Sequence, residues 1–248
     1  MRAFFCAAIS TLTLLFLFTQ RASAQNTPAL QYQFQPNQAL RYRLELQQSF
    51  RLTGGAAGQD LPVTTRTTFQ AVVRLVEVAP GGVATLEARV EEFSVRTTIG
   101  SKETVSPTSA ARDQTTKFRI GPSGPTAGQE TPAAAPGVPW DLFLSQVFPD
   151  LSLCRPLGPA AVNGKPCVRI GVSVVTAPAE RPENGGAAQG RDYSRGEGDA
   201  FFAEGHLVSG ETRGTTDLEY NIFLPEDRSG PAKVSVKGTF QSRLSLLP

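Results

Sequence analysis

Residues that commonly carry chemistry are scarce in this sequence: 248 residues include one histidine, one methionine, one tryptophan and three cysteines. There is no G-x-S-x-G nucleophile elbow, no H-E-x-x-H and no C-x-x-C, so the familiar hydrolase, zinc-protease and dithiol signatures are missing. Charge of one sign is lacking as well. Without residues 1 to 24 the 24 basic residues lose Arg2 and Arg21, leaving 22 against 22 acidic ones and no concentrated basic run. Such a chain has no electrostatic footprint for nucleic acid and no polybasic patch for anionic lipid.

Long apolar runs are confined to the start. Arg2, the apolar stretch Ala3 to Phe18 and the small residues Ala22-Ser23-Ala24 form a signal-peptide pattern with cleavage expected after Ala24. The stretch is shorter than the roughly 20 residues of a spanning helix and is diluted by Ser10, Thr11 and Thr13. Gln25, not a cysteine, follows the cleavage point, which argues against lipid anchoring there. The chain is therefore expected in the periplasm or secreted, as a single β-rich domain over residues 25–248 with no transmembrane segment after cleavage. In that compartment Cys154 and Cys167 are expected to form a disulfide, stabilising by about 3 kcal/mol on a chain-entropy estimate.

The dominant pattern is alternation. Leu40, Tyr42, Leu44, Leu46, Phe50 and Leu52 alternate with Arg41, Arg43, Glu45, Gln47, Ser49 and Arg51, the period of a half-buried strand some 40 Å long. Pairing Val78 with Val83 across Pro80-Gly81-Gly82 sets Leu75 opposite Leu86, Val73 opposite Ala88 and Ala71 opposite Val90. The phase breaks at Glu91-Glu92, where a β-bulge would bring Phe93 back into line with Phe69. Near the C-terminus, pairing Leu224 with Val234 aligns Leu218, Tyr220 and Ile222 with Val236, Phe240, Leu244 and Leu246, and sets Tyr220 over Gly238. Asn163-Gly164 and Glu204-Gly205 read as two-residue turns, the first placing Cys167 opposite Ala160. The expected fold is mainly β, with long antiparallel strands in a curved sheet or open barrel.

Residues 121–139 and 177–190 are rich in Pro, Gly and Ala and read as loops. Between them Trp140, Phe143, Leu144, Val147 and Phe148 mark one short apolar helix, bounded by Pro139 and Pro149. One helix is too little cover for so much one-sided sheet. The sheet must close, pack on a second sheet, or present an apolar concavity. Candidates for chemistry are weak: His206 has no local partner, Asp217 and Glu219 share the polar face of a strand, and Gly196-Glu197-Gly198 lacks the lysine of a phosphate loop.

The order of elements resembles bacterial envelope proteins with an open curved β-barrel around a helix, such as the lipoprotein-carrier group. The hairpin Phe202-Ala203-Glu204-Gly205-His206-Leu207 is similar to those of secreted β-rich bacterial proteins. The resemblance rests on architecture and carries over no functional residue; the uncovered apolar sheet leads to the expectation of a non-enzymatic envelope protein without cofactor or metal. An apolar small molecule or lipid would bind in the concave face, with Trp140, Phe143, Leu144, Val147 and Phe148 as plug or lid. The alternative is a structural or interaction module with a fully packed core that meets an envelope protein.

Overall fold

A computed structural model describes residues 30–54, 60–107, 111–126, 140–182, 188–222 and 232–248. The expected signal peptide lies outside them. Alternating side chains produce long strands: β1 (Ala39–Gly54), β2 (Leu61–Val78), β3 (Ala84–Ile99), β4 (Lys102–Pro107), β5 (Thr115–Gly121) and β6 (Gly124–Pro125). After helix α1 (Trp140–Val147) come β7 (Arg155–Val162), β8 (Lys165–Pro182), β9 (Ala188–Ala203), β10 (His206–Ile222) and β11 (Ala232–Leu247). All pairings are antiparallel, in the order β6-β5-β3-β2-β1-β11-β10-β9-β8-β7, with β4 on the outer end of β3. β1 pairs with β11, so the first and last strands form the centre and two wings extend from them. The sheet does not close.

It does curl. Phe148 meets Phe118 of β5 at 5.4 Å, and Tyr32 meets both Phe148 at 5.6 Å and Phe202 of β9 at 5.7 Å. β5 and β9 are six strand spacings apart in the sheet order, about 29 Å if it were flat. Only a curved sheet brings both within reach of one helix end.

The β2–β3 hairpin follows the expected register through most of its length, with Ala71 opposite Val90 and Phe69 opposite Phe93. Glu91 is the extra residue of the bulge. Its carboxylate accepts from Gln70 at 2.9 Å and lies 2.8 Å from Arg41 Nε. At the turn the register slips once more, so Val78 faces Ala84, not Val83. Ala79 N–H donates to the Val83 carbonyl at 2.8 Å, which places Val83 inside the turn.

The C-terminal hairpin pairs Ile222 with Ala232 and Tyr220 with Val234, four residues from the expected register. A shift by an even number keeps the same residues on the same face. The aromatic neighbour of Gly238 is Phe50, from β1 on its other side. Residues 177–190 also differ from expectation, because β8 runs to Pro182 and β9 starts at Ala188. Pro178 and Pro182 are tolerated because β7 covers β8 only through Gly171 among the described residues, leaving the rest as an edge. Gly121 ends β5, and residues 127–139 lie outside the described part.

Asn163-Gly164 and Glu204-Gly205 turn with positive φ at both positions, 51° and 77° in the first and 51° and 80° in the second. Cys167 faces Ala160 as expected, but the disulfide is a correction: Cys154 and Cys167 are both free. Arg155 pairs with Gly171, so Cys154 sits at the other end of β7 from Ala160. Some six residues of strand, roughly 20 Å, separate it from the Cys167 position, whereas bridged Cα atoms stand within about 7 Å. The Cys154 thiol instead donates to the Asp150 carbonyl at 3.4 Å.

Candidate functional site: the inner face of the sheet

The inward residues of neighbouring strands line up in rows across the sheet. One row runs Phe93, Phe69, Leu44, Leu244, Gly210, Ala200 and Ile170, and α1 lies over it. Phe69 meets Phe143 at 4.5 Å and Trp140 at 5.5 Å. Trp140, Phe143, Val147 and Phe148 are fully buried, and Leu144 packs partly buried against the same core. The next row contains Leu46 and Ser242, whose hydroxyl donates to Gln146 Oε1 at 3.1 Å. The five helical candidates thus meet at one place, but their apolar surface is used up by the protein's own core. Helix and sheet form a packed core there.

Beyond the Leu46 row no described element covers the face. Its rows hold Phe240, Gln48, Thr65 and Thr97, then Gly238, Phe50, Val63 and Ile99, then Val236, Leu52 and Leu61. Phe50, Leu52, Val63, Val236 and Phe240 are half-buried, while Leu61 is 36 % and Ile99 48 % exposed. Over β3, β2, β1, β11 and β10 this region measures about 20 Å in each direction. This footprint of roughly 400 Å² is shared between those apolar side chains and Gln48, Thr65 and Thr97.

Glycines shape this region. A Cβ on Gly214 would stand 2.6 Å from Phe240 Cε1, and one on Gly196 2.6 Å from Cζ, so the ring lies across both bare positions. Phe50 covers Gly238 in the same way, at 2.7 Å from the position of a Cβ. The Gly196-Glu197-Gly198 stretch is therefore strand surface and not a phosphate loop. Sequence reading missed this because the ring on Gly196 comes from β11, two strands away.

Beside the helix a crevice runs between Gln146 and Pro149 on one side and Val172, Ala200, Leu207 and Leu244 on the other. Its volume of about 20 Å³ admits one water and no acyl chain. The outer face carries a groove of about 520 Å³ lined by Arg169, Asp199, Glu211, Arg213 and Arg243. Ion pairs join Arg169 to Asp199, Arg213 to Glu211 at 2.6 Å and Arg243 to Glu211 at 3.7 Å, as on a solvated face.

The other sequence candidates do not converge. Asp217 pairs with Lys237 at 3.2 Å and shares the outer face with Glu219. His206 starts the same strand eleven residues earlier, about 35 Å away. It is only 4 % exposed, and its Nδ1 lies 3.0 Å from the Glu204 carbonyl. Burial is the main cause that holds its pKa below the ordinary histidine value, with Lys165 acting in the same direction and Glu204 against it.

Sequence reading also missed the segment before β1. Tyr32 N–H donates to the Pro122 carbonyl at 2.8 Å and Gln33 N–H to the Gly205 carbonyl at 2.9 Å. The Tyr32 hydroxyl donates to the Pro149 carbonyl at 3.0 Å. Adjacent residues thus hold opposite wings, and the signal for it was in the sequence: Leu30, Tyr32 and Phe34 alternate with Gln31, Gln33 and Gln35, a period of two over a stretch that Pro36 cuts short.

Among the described residues no helix is long and apolar enough to cross a membrane. No family model and no curated protein matches the chain. Among solved structures it is similar to a chain described as "lipid-protein interactions in lipovitellin", at 9 % identity and a TM-score of 0.36. That likeness covers 87 % of this chain and 26 % of the other, so the chain spans about a quarter of that protein's length.

Proposed function

We propose that this is an exported, non-enzymatic envelope protein that binds an apolar ligand, a lipid or acyl chain, on the uncovered part of the inner face. The observation that carries the reading is the set of half-buried and exposed apolar side chains beyond the helix: Phe50, Leu52, Leu61, Val63, Ile99, Val236 and Phe240. Apolar area costs about 25 cal/mol per Å² when left in water, so covering the exposed part of these side chains favours an apolar occupant, before the cost of ordering it. The sheet is the floor of the site and the helix closes one end of it. The helix's five apolar residues act by holding the wings at the angle that makes the face concave.

Export rests on the signal-peptide pattern of residues 1 to 24. The proposed compartment is the periplasm or the exterior, in keeping with the architectural resemblance to lipoprotein carriers. A second reading, an interaction or structural module that meets an envelope protein, is favoured by the dry packing of Trp140, Phe143, Val147 and Phe148. Mass spectrometry of lipids co-purifying with the protein, beside titration with a fluorescent fatty acid, separates the two. Saturable binding weakened by Phe240→Ser supports the ligand reading; no lipid and no saturation supports the module.

A further inference from the structure

We infer that the ligand of the inner face is a single-chain carboxylate, a free fatty acid, with its head at Lys102 and its chain along the row Ile99, Val63 and Phe50. The head-group assignment rests on the inner-face reading above and adds the charge and direction of the ligand. The geometry starts at the turn between β3 and β4, where Gly100 takes a φ of 58° and Lys102 stands directly opposite Ile99. Residues directly opposite in an antiparallel pair share a face. Lys102 therefore continues the row of Gly238, Phe50, Val63 and Ile99 onto the edge strand, as Thr104 continues that of Phe240, Gln48, Thr65 and Thr97.

Charge singles this residue out. Those two rows, continued onto β4, contain apolar, Gly, Thr and Gln residues and a single charge, that of Lys102. Lys102 is exposed and has no ion-pair partner among the described residues. The adjacent Glu103 belongs to the outer face, where it lies 3.5 Å from Arg96. A carboxylate set down elsewhere on the open face would leave water for a surface without a countercharge, which is costly. At Lys102 the carboxylate keeps to the wet edge of the sheet beside an ammonium, and the lysine stem lets that ammonium stand clear of the apolar row. From Lys102 to Gly238 the row crosses four strand spacings, about 19 Å, room for one extended acyl chain. One cation answers one anionic charge, whereas an anionic membrane surface is held by several basic residues together.

Displacement of an uncharged fluorescent acyl probe by laurate and by methyl laurate, at a pH where the acid is ionised, tests the assignment, because the two share a chain and differ in charge. Lys102→Met is expected to weaken laurate by about three- to fivefold, the order of an exposed ion pair, and to leave methyl laurate unchanged. Lys102→Glu weakens laurate further. Added salt narrows the difference between wild type and Lys102→Met, since the pair is screened. Lys237→Met, on the outer face beside Asp217, changes neither compound. Laurate binding that is saturable but indifferent to Lys102→Met, as from a lysine that only blunts the sheet edge, would overturn the head-group assignment and leave the inner-face site standing. An equal loss for methyl laurate, or an equal loss of laurate in Lys237→Met, would overturn it as well. No saturable displacement by either compound would overturn both the assignment and the inner-face reading.

Discussion

The Phe240 ring lies across Gly214, so close that a methyl group there would meet Cε1 at 2.6 Å. The same position stands 2.2 Å from the Arg195 carbonyl and 2.6 Å from Gly196 Cα, which are backbone atoms that cannot swing aside. Gly214→Ala should therefore lower stability by about 1 to 3 kcal/mol, the usual cost of overpacking, with weaker binding of apolar ligands as the ring is displaced. Chemical denaturation checks it. An unchanged midpoint would show that the ring and strands have room to spare.

A second prediction concerns the helix. Trp140 is 1 % exposed against Phe69 and Phe143, so Trp140→Ala should cost about 3 to 5 kcal/mol as a large-to-small core change. A loss below 1 kcal/mol, measured by urea unfolding, would mean that the helix is a loosely seated lid.

The bulge on β3 separates two kinds of substitution. Arg41→Ala removes an exposed pair with Glu91 and should change stability by less than about 1 kcal/mol. Deleting Glu91 instead puts Phe93, Val95 and Ile99 out of phase with β2 and pulls Phe93 away from Phe69, where the rings now meet at 5.8 Å. That deletion should cost several times more, about 3 to 5 kcal/mol. Equal effects of the two changes would contradict the bulge.

Thiol chemistry gives a fourth test. Both Cys154 and Cys167 should react when the unreduced protein is denatured and labelled, and a reductant should leave the unfolding midpoint unchanged. In the native state labelling should be slow, since burial and Asp150 raise the Cys154 pKa and Cys167 is buried. Protection of both thiols in the denatured, unreduced protein would restore the disulfide.

Strand identity, the Glu91 bulge and both two-residue turns were legible because each is written in a few adjacent residues: a period of two, a break in phase, a residue pair that accepts positive φ. Tertiary context decided the rest. Pro178 and Pro182 read as loop until the sheet order places them on an edge, and the C-terminal hairpin stands four residues from the expected register, with Phe50 of β1 in place of Tyr220 as the ring over Gly238. The helical half of the candidate site was recognised as apolar, but its burial was not. A run of apolar residues has the same composition whether it lines a cavity or fills one. The open half was visible only as separate strands, since Phe50, Val63 and Phe240 become neighbours through the β1–β11 and β1–β2 registers.

The central claim is that an apolar ligand occupies the uncovered inner face, and a photo-activatable fatty acid cross-linked to the protein and mapped by peptide mass spectrometry tests it most directly. The account predicts saturable labelling, competed by unlabelled fatty acid, at Phe50, Leu52, Val63, Val236 and Phe240, with Trp140 and Phe143 unlabelled. Labelling spread over the outer face around Arg169 and Arg213, or none that competitor removes, would contradict it.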